Sequence, residues 1–140
     1  MTSKIPFLRT LIVDDSNISR TRMYEMCKKA GFKHLDQVEN ASDAAEKMDA
    51  LKYDIVFLDW TMPGKSGISL MEEWREDRRF DDVAIIVCSM QSDPRMVNGA
   101  LKAGALSYIV KPVTEETLHE HLGKALAWLD RRQQFREDNS

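Results

Sequence analysis

The stretch "DIVFLDWTMPGKSG", from Asp54 to Gly67, decides the fold, because it joins an apolar run to a carboxylate and then to turn residues. Residues 55–58 are all apolar, as in a strand that is covered on both faces of a sheet. The chain then reaches Asp59, and the Pro63-Gly64 pair that follows is typical of a loop. A carboxylate at the end of a buried strand is costly unless it is paired. The stretch therefore predicts a strand whose end presents Asp59 to an opposing group.

Apolar runs alternate with helical patterns along the chain, and each run is short enough to be a strand. The four other predicted strands lie at Thr10–Asp15, His34–Glu39, Val83–Ser89 and Ala105–Lys111. Helices are predicted at Ser16–Ala30, Ser42–Leu51, Ile68–Glu76 and Asp93–Ala103, with a last one from Thr114 onward. Because right-handed crossovers place helices on both faces of one sheet, this (βα)5 pattern predicts a doubly wound, flavodoxin-like α/β fold with five parallel strands.

The helical patterns also predict which side chains face the core, since residues of one helix face recur every three or four positions. The predicted inward residues are Met23, Met26, Cys27 and Ala30 in the first helix, and Ala45, Met48 and Leu51 in the second. Gly31 is expected to end the first helix.

Length and charge limit the possible classes of protein. The 140 residues fit one domain, which we place at residues 1–130, and we expect the charged segment 131–140 to be a fraying tail. The formal net charge is −3 with acids and bases interspersed, so we expect no nucleic-acid surface. No apolar run reaches the roughly 18 residues of a membrane span, and the first ten residues lack the apolar centre of a signal peptide.

Cysteine and histidine residues give little support to a metal site of their own. Cys27 and Cys88 lie in apolar contexts, and we interpret them as reduced, buried thiols of a cytoplasmic protein rather than as a disulfide. His34, His119 and His121 are scattered along the chain, and we expect all three on the solvated surface.

Polar residues follow four of the predicted strands at their carboxyl ends. These residues are Asp14, Asp15, Asp59, Ser89 and Lys111. Because parallel strands all end at the same edge of a sheet, the topology brings these side chains together, and ligands of open α/β sheets bind at that edge. Taken singly, each residue could be a helix cap or a turn residue, but their joint position favours a site.

The residue types predict phosphoryl chemistry at this edge. Three carboxylates that lie close together repel one another, and a hard dication such as Mg²⁺, which prefers oxygen ligands, relieves the repulsion. Phosphate is the usual anionic partner of such an ion, and a lysine with a hydroxyl could hold its remaining oxygens. A carboxylate can itself accept the phosphoryl group as an aspartyl-phosphate.

The complete pattern resembles a bacterial response-regulator receiver domain of the CheY-like type over about residues 8–129. The resemblance is carried by Asp14-Asp15, the stretch "DWTMPGKSG" from Asp59 to Gly67, Ser89 and Lys111-Pro112. It implies that Asp59 is the phosphoacceptor for a histidine kinase. It also implies that Asp15, Asp59 and the backbone carbonyl of Thr61 bind Mg²⁺ directly, with Asp14 reaching the ion through water.

The same resemblance implies how the site signals. Ser89 would be the hydroxyl that moves toward the phosphoryl group, and Lys111 would pair with the phosphoryl oxygens. Tyr108 matches the switch aromatic, which turns inward when the hydroxyl moves. The Lys111–Pro112 peptide bond is expected to be cis, as in the family, and such a bond would aim Lys111 over the pocket.

Three positions near the site need separate interpretation. Met90 stands where the family usually has a small residue, and its bulk could narrow access to Asp59. Trp60 is shared with some family members, while the alternative interpretation is a partly exposed loop aromatic. Gly67 is expected to supply a backbone conformation that other residues avoid.

We therefore predict a single-domain signalling switch rather than an enzyme. This switch would catalyse its own phosphoryl transfer and its own dephosphorylation. Its fourth helix, fifth strand and fifth helix would bind a downstream protein, and the chain would be a monomer or a weak phosphorylation-dependent dimer. The alternatives are a receiver cut from a longer regulator and a phosphorelay shuttle. A Mg²⁺-dependent phosphohydrolase is a more distant alternative, because such enzymes usually carry a second acid where Thr61 stands.

Overall fold

The fold consists of one sheet with helices packed against both of its faces. The computed structural model describes residues 2–60, 62 and 66–139. The strands are β1 (Arg9–Val13), β2 (His34–Val38), β3 (Ile55–Asp59), β4 (Ala84–Ser89) and β5 (Ser107–Val110). The α-helices are α1 (Asn17–Lys29), α2 (Ala41–Ala50), α3 (Gly67–Glu76), α4 (Pro94–Lys102) and α5 (Glu115–Asp138). Two short 3₁₀ helices that the sequence did not predict lie at Thr2–Phe7 and Arg78–Phe80.

The sheet has the strand order β2-β1-β3-β4-β5, and every neighbouring pair is parallel. The predicted five-stranded, doubly wound α/β fold is therefore confirmed. β3 lies at the centre of the sheet, where Asp59 pairs in register with Cys88 of β4. This position surrounds the end of β3 with the ends of its neighbours.

The apolar run of β3 serves both faces of the sheet, as its sequence predicts. Val56 and Leu58 contribute to one core with α2, α3 and α4, whereas Ile55 and Phe57 contribute to the other core with α1 and α5. Since successive side chains point to opposite faces, every side chain of a strand that is covered on both faces lies in a core and is expected to be apolar. All four residues are 2% exposed or less.

Each α-helix begins after a polar residue whose side chain accepts a hydrogen bond from a backbone N–H of the first turn. The five N-cap residues are Ser16, Asn40, Ser66, Asp93 and Thr114. Such caps satisfy one of the four unpaired N–H groups at a helix start, and each contributes about 1 kcal/mol of stability. The caps also fix where each helix leaves the loop that precedes it.

The inward faces of α1 and α2 differ in part from the prediction. Met23 and Cys27 are buried, but Ala30 lies at the end of α1 and is exposed. In α2 the buried residues are Ala41, Ala44 and Met48, while Ala45 is half-buried and Leu51 is 36% exposed. The reason is that α2 begins one residue earlier than predicted and Leu51 already has extended backbone, so the buried stripe starts at Ala41.

The expectation that the chain frays after residue 130 is wrong, because α5 continues to Asp138. Arg132 Nε donates to Asp82 Oδ1 at 2.8 Å, and Arg136 Nη1 lies 2.9 Å from Asp82 Oδ2. The Arg132 guanidinium also stacks 4.9 Å from the centre of the Phe135 ring. The two contacts with Asp82 attach the charged end of the helix to the segment that precedes β4.

The two cysteines are free and buried, as the sequence predicted. Both belong to the core between the sheet and the helices α1 and α5. Burial raises the pKa of the Cys27 thiol to about 12, because the thiolate would lose its hydration. No helix in the described part of the chain is long and apolar enough to cross a membrane.

The prediction for the histidines is wrong for His121, which is buried, whereas His34 and His119 are exposed. His121 Nδ1 lies 2.8 Å from Ser107 Oγ of β5. Burial lowers the pKa of His121, the positive charge of Lys124 lowers it further, and Glu120 opposes the shift. The sequence carried a sign of this position, because His121 lies on one helix face with Leu118, Leu122 and Ala125.

We predict that His121 makes the fold less stable in mild acid. Its pKa in the folded protein lies below the ordinary value of about 6.5, so the unfolded chain binds the proton more tightly. Stability is then complete above about pH 6.5 and falls as the pH is lowered through that value. Urea unfolding between pH 7.5 and 5.5 should show this fall in the wild type and a weaker one in His121→Gln. His119→Gln, on the exposed side of α5, is the matched control, and an equal slope in all three proteins would contradict the prediction.

Candidate functional site

The candidate site lies at the carboxyl ends of the four strands β1, β3, β4 and β5. Asp14 and Asp15 follow β1, Asp59 and Ser89 end β3 and β4, and Lys111 follows β5. Since these strands are adjacent and parallel, all five residues reach one edge of the sheet. The structure thus brings together the residues that the sequence analysis selected.

Three carboxylates form the centre of the site. Asp14 and Asp59 are 5% and 6% exposed, whereas Asp15 is exposed. One oxygen from each of the three lies within 4.8 Å of the others. An all-oxygen cluster of this kind fits a hard dication such as Mg²⁺, which takes few protein ligands and keeps several waters.

Lys111 supplies the positive charge of the site. Its Nζ donates to Asp14 Oδ2 at 2.8 Å and lies 3.6 Å from Asp59 Oδ2. Burial by itself would lower the pKa of Lys111, but the hydrogen bond to Asp14 and the negative charges of Asp59 and Asp14 outweigh it, so the pKa is raised. The ammonium group is therefore charged at neutral pH and lies between two carboxylates. The Lys111–Pro112 peptide bond is cis.

Asp14 is held in place by more than Lys111. Its Oδ1 accepts a hydrogen bond from the Ser16 backbone N–H at 2.9 Å, which links it to the start of α1. Arg20 of α1 donates from Nη1 to the Asp14 backbone carbonyl at 2.7 Å. The sequence carries no signal for this role of Arg20, because the contact depends on the angle at which α1 leaves β1. The Ser16 N–H and Lys111 thus hold the two carboxylate oxygens of Asp14, and Arg20 holds its backbone carbonyl.

Ser89 and Tyr108 are connected through the backbone of Gln91. Ser89 Oγ accepts a hydrogen bond from the Gln91 N–H at 3.1 Å, and the Tyr108 hydroxyl donates to the Gln91 carbonyl at 2.7 Å. Ser89 is buried, and Tyr108 is half-buried against the core of α2, α3 and α4. The loop between β4 and α4 is thus anchored at one residue by both side chains.

Gly67 is required by space and not by its backbone conformation, which corrects the prediction. Among the described glycines a positive φ occurs at Gly31 and Gly104, and Gly67 does not have one. A Cβ at Gly67 would lie 2.5 Å from the Asp59 carbonyl oxygen and 3.1 Å from Trp60 Cα. The first turn of α3 therefore packs directly against the backbone that presents Asp59.

Comparisons with known proteins agree with this geometry. The sequence model of one family, the response regulator receiver domain, matches residues 10–123. Chemotaxis protein CheY1 of Helicobacter pylori is 34% identical over 124 residues, which are 88% of this chain and 100% of that protein. Chemotaxis protein CheY of Thermotoga maritima is 40% identical over 117 residues, which are 83% of this chain and 95% of that protein. The chain belongs to the response regulator receiver domain family.

Solved structures support the fold of this receiver domain. The chemotaxis response regulator CheY4 of Vibrio cholerae superposes with a TM-score of 0.78 at 23% identity, covering 84% of this chain and 98% of that one. The receiver domain of the Francisella response regulator 1452 gives a TM-score of 0.76 at 21% identity, covering 89% of this chain and 98% of that one. At these identities the likeness concerns the fold alone.

Two side chains beside the receiver site, the aromatic Trp60 and the thioether Met90, differ in exposure. Trp60 is only 3% exposed and packs in the core of α2, α3 and α4, so the interpretation as a partly exposed loop aromatic is wrong. Met90 is 79% exposed and borders the opening of a cavity that also reaches Asp59. Thr61, whose carbonyl the family resemblance assigns to the metal, lies outside the described residues, as does the Pro63-Gly64 turn.

We predict that Gly67→Ala destabilises the receiver domain, because the new methyl group meets backbone atoms that cannot rotate away. Overpacking of this kind costs about 1–3 kcal/mol. Gly123→Ala is the matched control, since its Cβ would meet no heavy atom within 4 Å and it lies within α5. A stabilisation of about 1 kcal/mol is expected there, as for other exposed helix interiors. Urea unfolding measures both, and a Gly67→Ala protein as stable as the wild type would refute the packing argument.

Proposed function

We propose that the protein is a single-domain response regulator that accepts a phosphoryl group on Asp59 from a histidine kinase. The observation that carries this proposal is the buried Asp59 carboxylate, which lies in a cluster with Asp14 and Asp15 and 3.6 Å from Lys111 Nζ. Reduced cysteines are consistent with a cytoplasmic setting. The membership of the receiver family supports the same assignment.

In the proposed reaction Asp59 is the nucleophile. One of its oxygens forms a bond to phosphorus while the phosphorus–nitrogen bond of the donor phosphohistidine breaks, and the imidazole nitrogen keeps the electron pair. A Mg²⁺ ion held by Asp15, Asp59 and the Thr61 carbonyl, with Asp14 through water, would supply positive charge near the phosphoryl oxygens. Lys111 would move its hydrogen bond from Asp14 toward those oxygens. The same protein groups would serve the later hydrolysis, for which the uncharged Gln91 offers no general base.

The proposed switch starts at Ser89. If its hydroxyl turns toward the phosphoryl group, the hydrogen bond that it accepts from Gln91 N–H is lost, and the loop before α4 is free to move. The Tyr108 hydroxyl then loses its acceptor at the Gln91 carbonyl, and the ring can turn inward. The surface formed by α4, β5 and α5 would change as a result and bind the downstream protein.

The alternative functions share the phosphorylation of Asp59 but differ in what the phosphoryl group does next. A phosphorelay shuttle would pass it to a second histidine, and a receiver within a longer regulator would act on an attached domain. A monomer or a weak dimer is compatible with each of these roles. The phosphohydrolase alternative lacks the second acid, because position 61 is a threonine.

We predict that acetyl phosphate with Mg²⁺ adds one phosphoryl group to the wild type and none to Asp59→Asn, because the amide oxygen is a poor nucleophile. Intact-mass spectrometry gives the result directly. Asp54→Asn is the matched control, since Asp54 precedes the same strand at its opposite end and an amide oxygen can still accept the Arg9 N–H bond. A phosphoryl adduct on Asp59→Asn at the wild-type level would disprove the assignment.

We predict that activation alters the segment from Ser89 through α4 and along β5. Amide hydrogen exchange with and without Mg²⁺ and beryllofluoride should change there and remain constant near Gly31 and Ala50. Tyr108→Phe should speed exchange near Gln91 even without beryllofluoride, because it removes the hydroxyl that holds the Gln91 carbonyl. Tyr24→Phe in α1 is the matched control. Exchange differences confined to the surroundings of Gly31 and Ala50 would contradict the proposal.

A further inference from the structure

A cavity of about 320 Å³ opens beside Asp59, between α1 and the segment Lys111–Val113 that leads to α5. Asp59, Asp14 and Lys111 lie at one end of it. Its walls are largely apolar and include Ile12, Phe57, Met23, Met26 and Val113. This volume is at the lower end of the range for small-molecule sites, which are also mostly apolar with a few precisely placed polar groups.

The opening of the cavity is bordered by two exposed apolar side chains. Ile18 of α1 is 83% exposed and Met90 is 79% exposed, and both line the same cavity. Single exposed apolar residues are ordinary, but two at the mouth of an apolar cavity extend its surface outward. Met side chains are also flexible, so Met23, Met26 and Met90 can adapt to a ligand of variable shape.

We propose that this cavity, which we call the acyl cleft, holds the hydrocarbon chain of an acyl phosphate that phosphorylates Asp59 directly. The inference rests on the proposed function of Asp59 and extends it to a class of small phosphodonor. The charge pattern favours this class, because Asp14, Asp59 and Lys111 lie together at one end of the cleft and most of the remaining lining is apolar. Lys111 at that end and Arg22 at the rim are the cations that a phosphate head group would meet.

The proposed step is balanced without another reactant. An Asp59 carboxylate oxygen forms a bond to phosphorus, and the bond between phosphorus and the acyl oxygen breaks. The leaving group departs as a fatty carboxylate with the electron pair of that bond, so no proton transfer and no redox partner is needed.

The first test measures the rate of Asp59 phosphorylation with acetyl, butyryl and hexanoyl phosphate at equal Mg²⁺. Burial of one methylene is worth a factor of about four, or about 0.8 kcal/mol. With partial burial, we expect the second-order rate constant to rise at least tenfold from acetyl to hexanoyl phosphate. Equal rates across the series overturn the acyl cleft and leave the proposed function intact. No phosphorylation by any of the three overturns the proposed function itself.

The second test fills the acyl cleft from its wall. Ser19 of α1 lines the cleft and its backbone N–H donates to the Ser16 cap, so Ser19→Phe places a ring in the cleft while Asp14, Asp59 and Lys111 stay unchanged. It should abolish the advantage of hexanoyl phosphate and keep the rate with acetyl phosphate. Ser42→Phe, exposed on α2 across the sheet, is the matched control and should behave as the wild type. A full chain-length advantage in a folded Ser19→Phe protein overturns the proposal.

A binding measurement without phosphoryl transfer completes the test. Hexylphosphonate is titrated into protein with ¹³C-labelled methionine methyl groups, in the presence of Mg²⁺ so that the anionic head group does not meet the carboxylate cluster alone. The methyl signals of Met23, Met26 and Met90 should shift, whereas that of Met48, in the other core, should not. Shifts of Met48 alone, or none at all, overturn the assignment of the cleft. Methylphosphonate is the control for the head group.

Discussion

The structure depends on the burial of carboxylates at the end of a central strand. Asp59 stays buried in the folded protein, because β3 is paired with a strand on each side and covered by helices on both faces. Asp14 is fixed beside it by Ser16 and Arg20, and Asp15 completes a cluster of three negative charges. Lys111 provides one positive charge within this group of four residues, which leaves a net charge of −2. The folded protein therefore carries an uncompensated charge of −2 at this site, which a bound dication would neutralise.

The same arrangement links the charged site to a distant surface. Lys111 follows β5, on which Tyr108 lies, and the Lys111 backbone N–H also donates to the Ser89 carbonyl at 2.8 Å. Ser89 Oγ accepts from the Gln91 N–H and the Tyr108 hydroxyl donates to the Gln91 carbonyl, so the loop before α4 is tied to both β4 and β5. The buried contact of His121 with Ser107 ties α5 to the same strand. These short connections give the surface of α4, β5 and α5 a physical path to the carboxylates.

Much of this architecture is predictable from the sequence, because apolar runs and turn residues act locally. The five strands and the convergence of Asp14, Asp59, Ser89 and Lys111 follow from parallel topology alone. The burial of Trp60 and His121 was not predicted, since exposure depends on which helix covers a position. The helical end of α5 depends on Asp82, which lies 50 residues before Arg132 in the chain. The role of Gly67 likewise depends on how closely α3 approaches Asp59, and a sequence pattern does not contain that distance.

The measurement that tests the electrostatic account most directly is the free energy of unfolding as a function of Mg²⁺ concentration. Binding to the folded state alone should raise it for the wild type, by about 2.7 kcal/mol at a hundredfold excess over the dissociation constant. Asp15→Asn should lose most of this gain, because it removes a carboxylate from the cluster while Asp14 and Lys111 stay paired. Glu25→Gln, which removes an exposed carboxylate from α1 outside the cluster, should keep it. A wild type whose stability does not respond to Mg²⁺, or an Asp15→Asn protein that gains as much, would contradict the account.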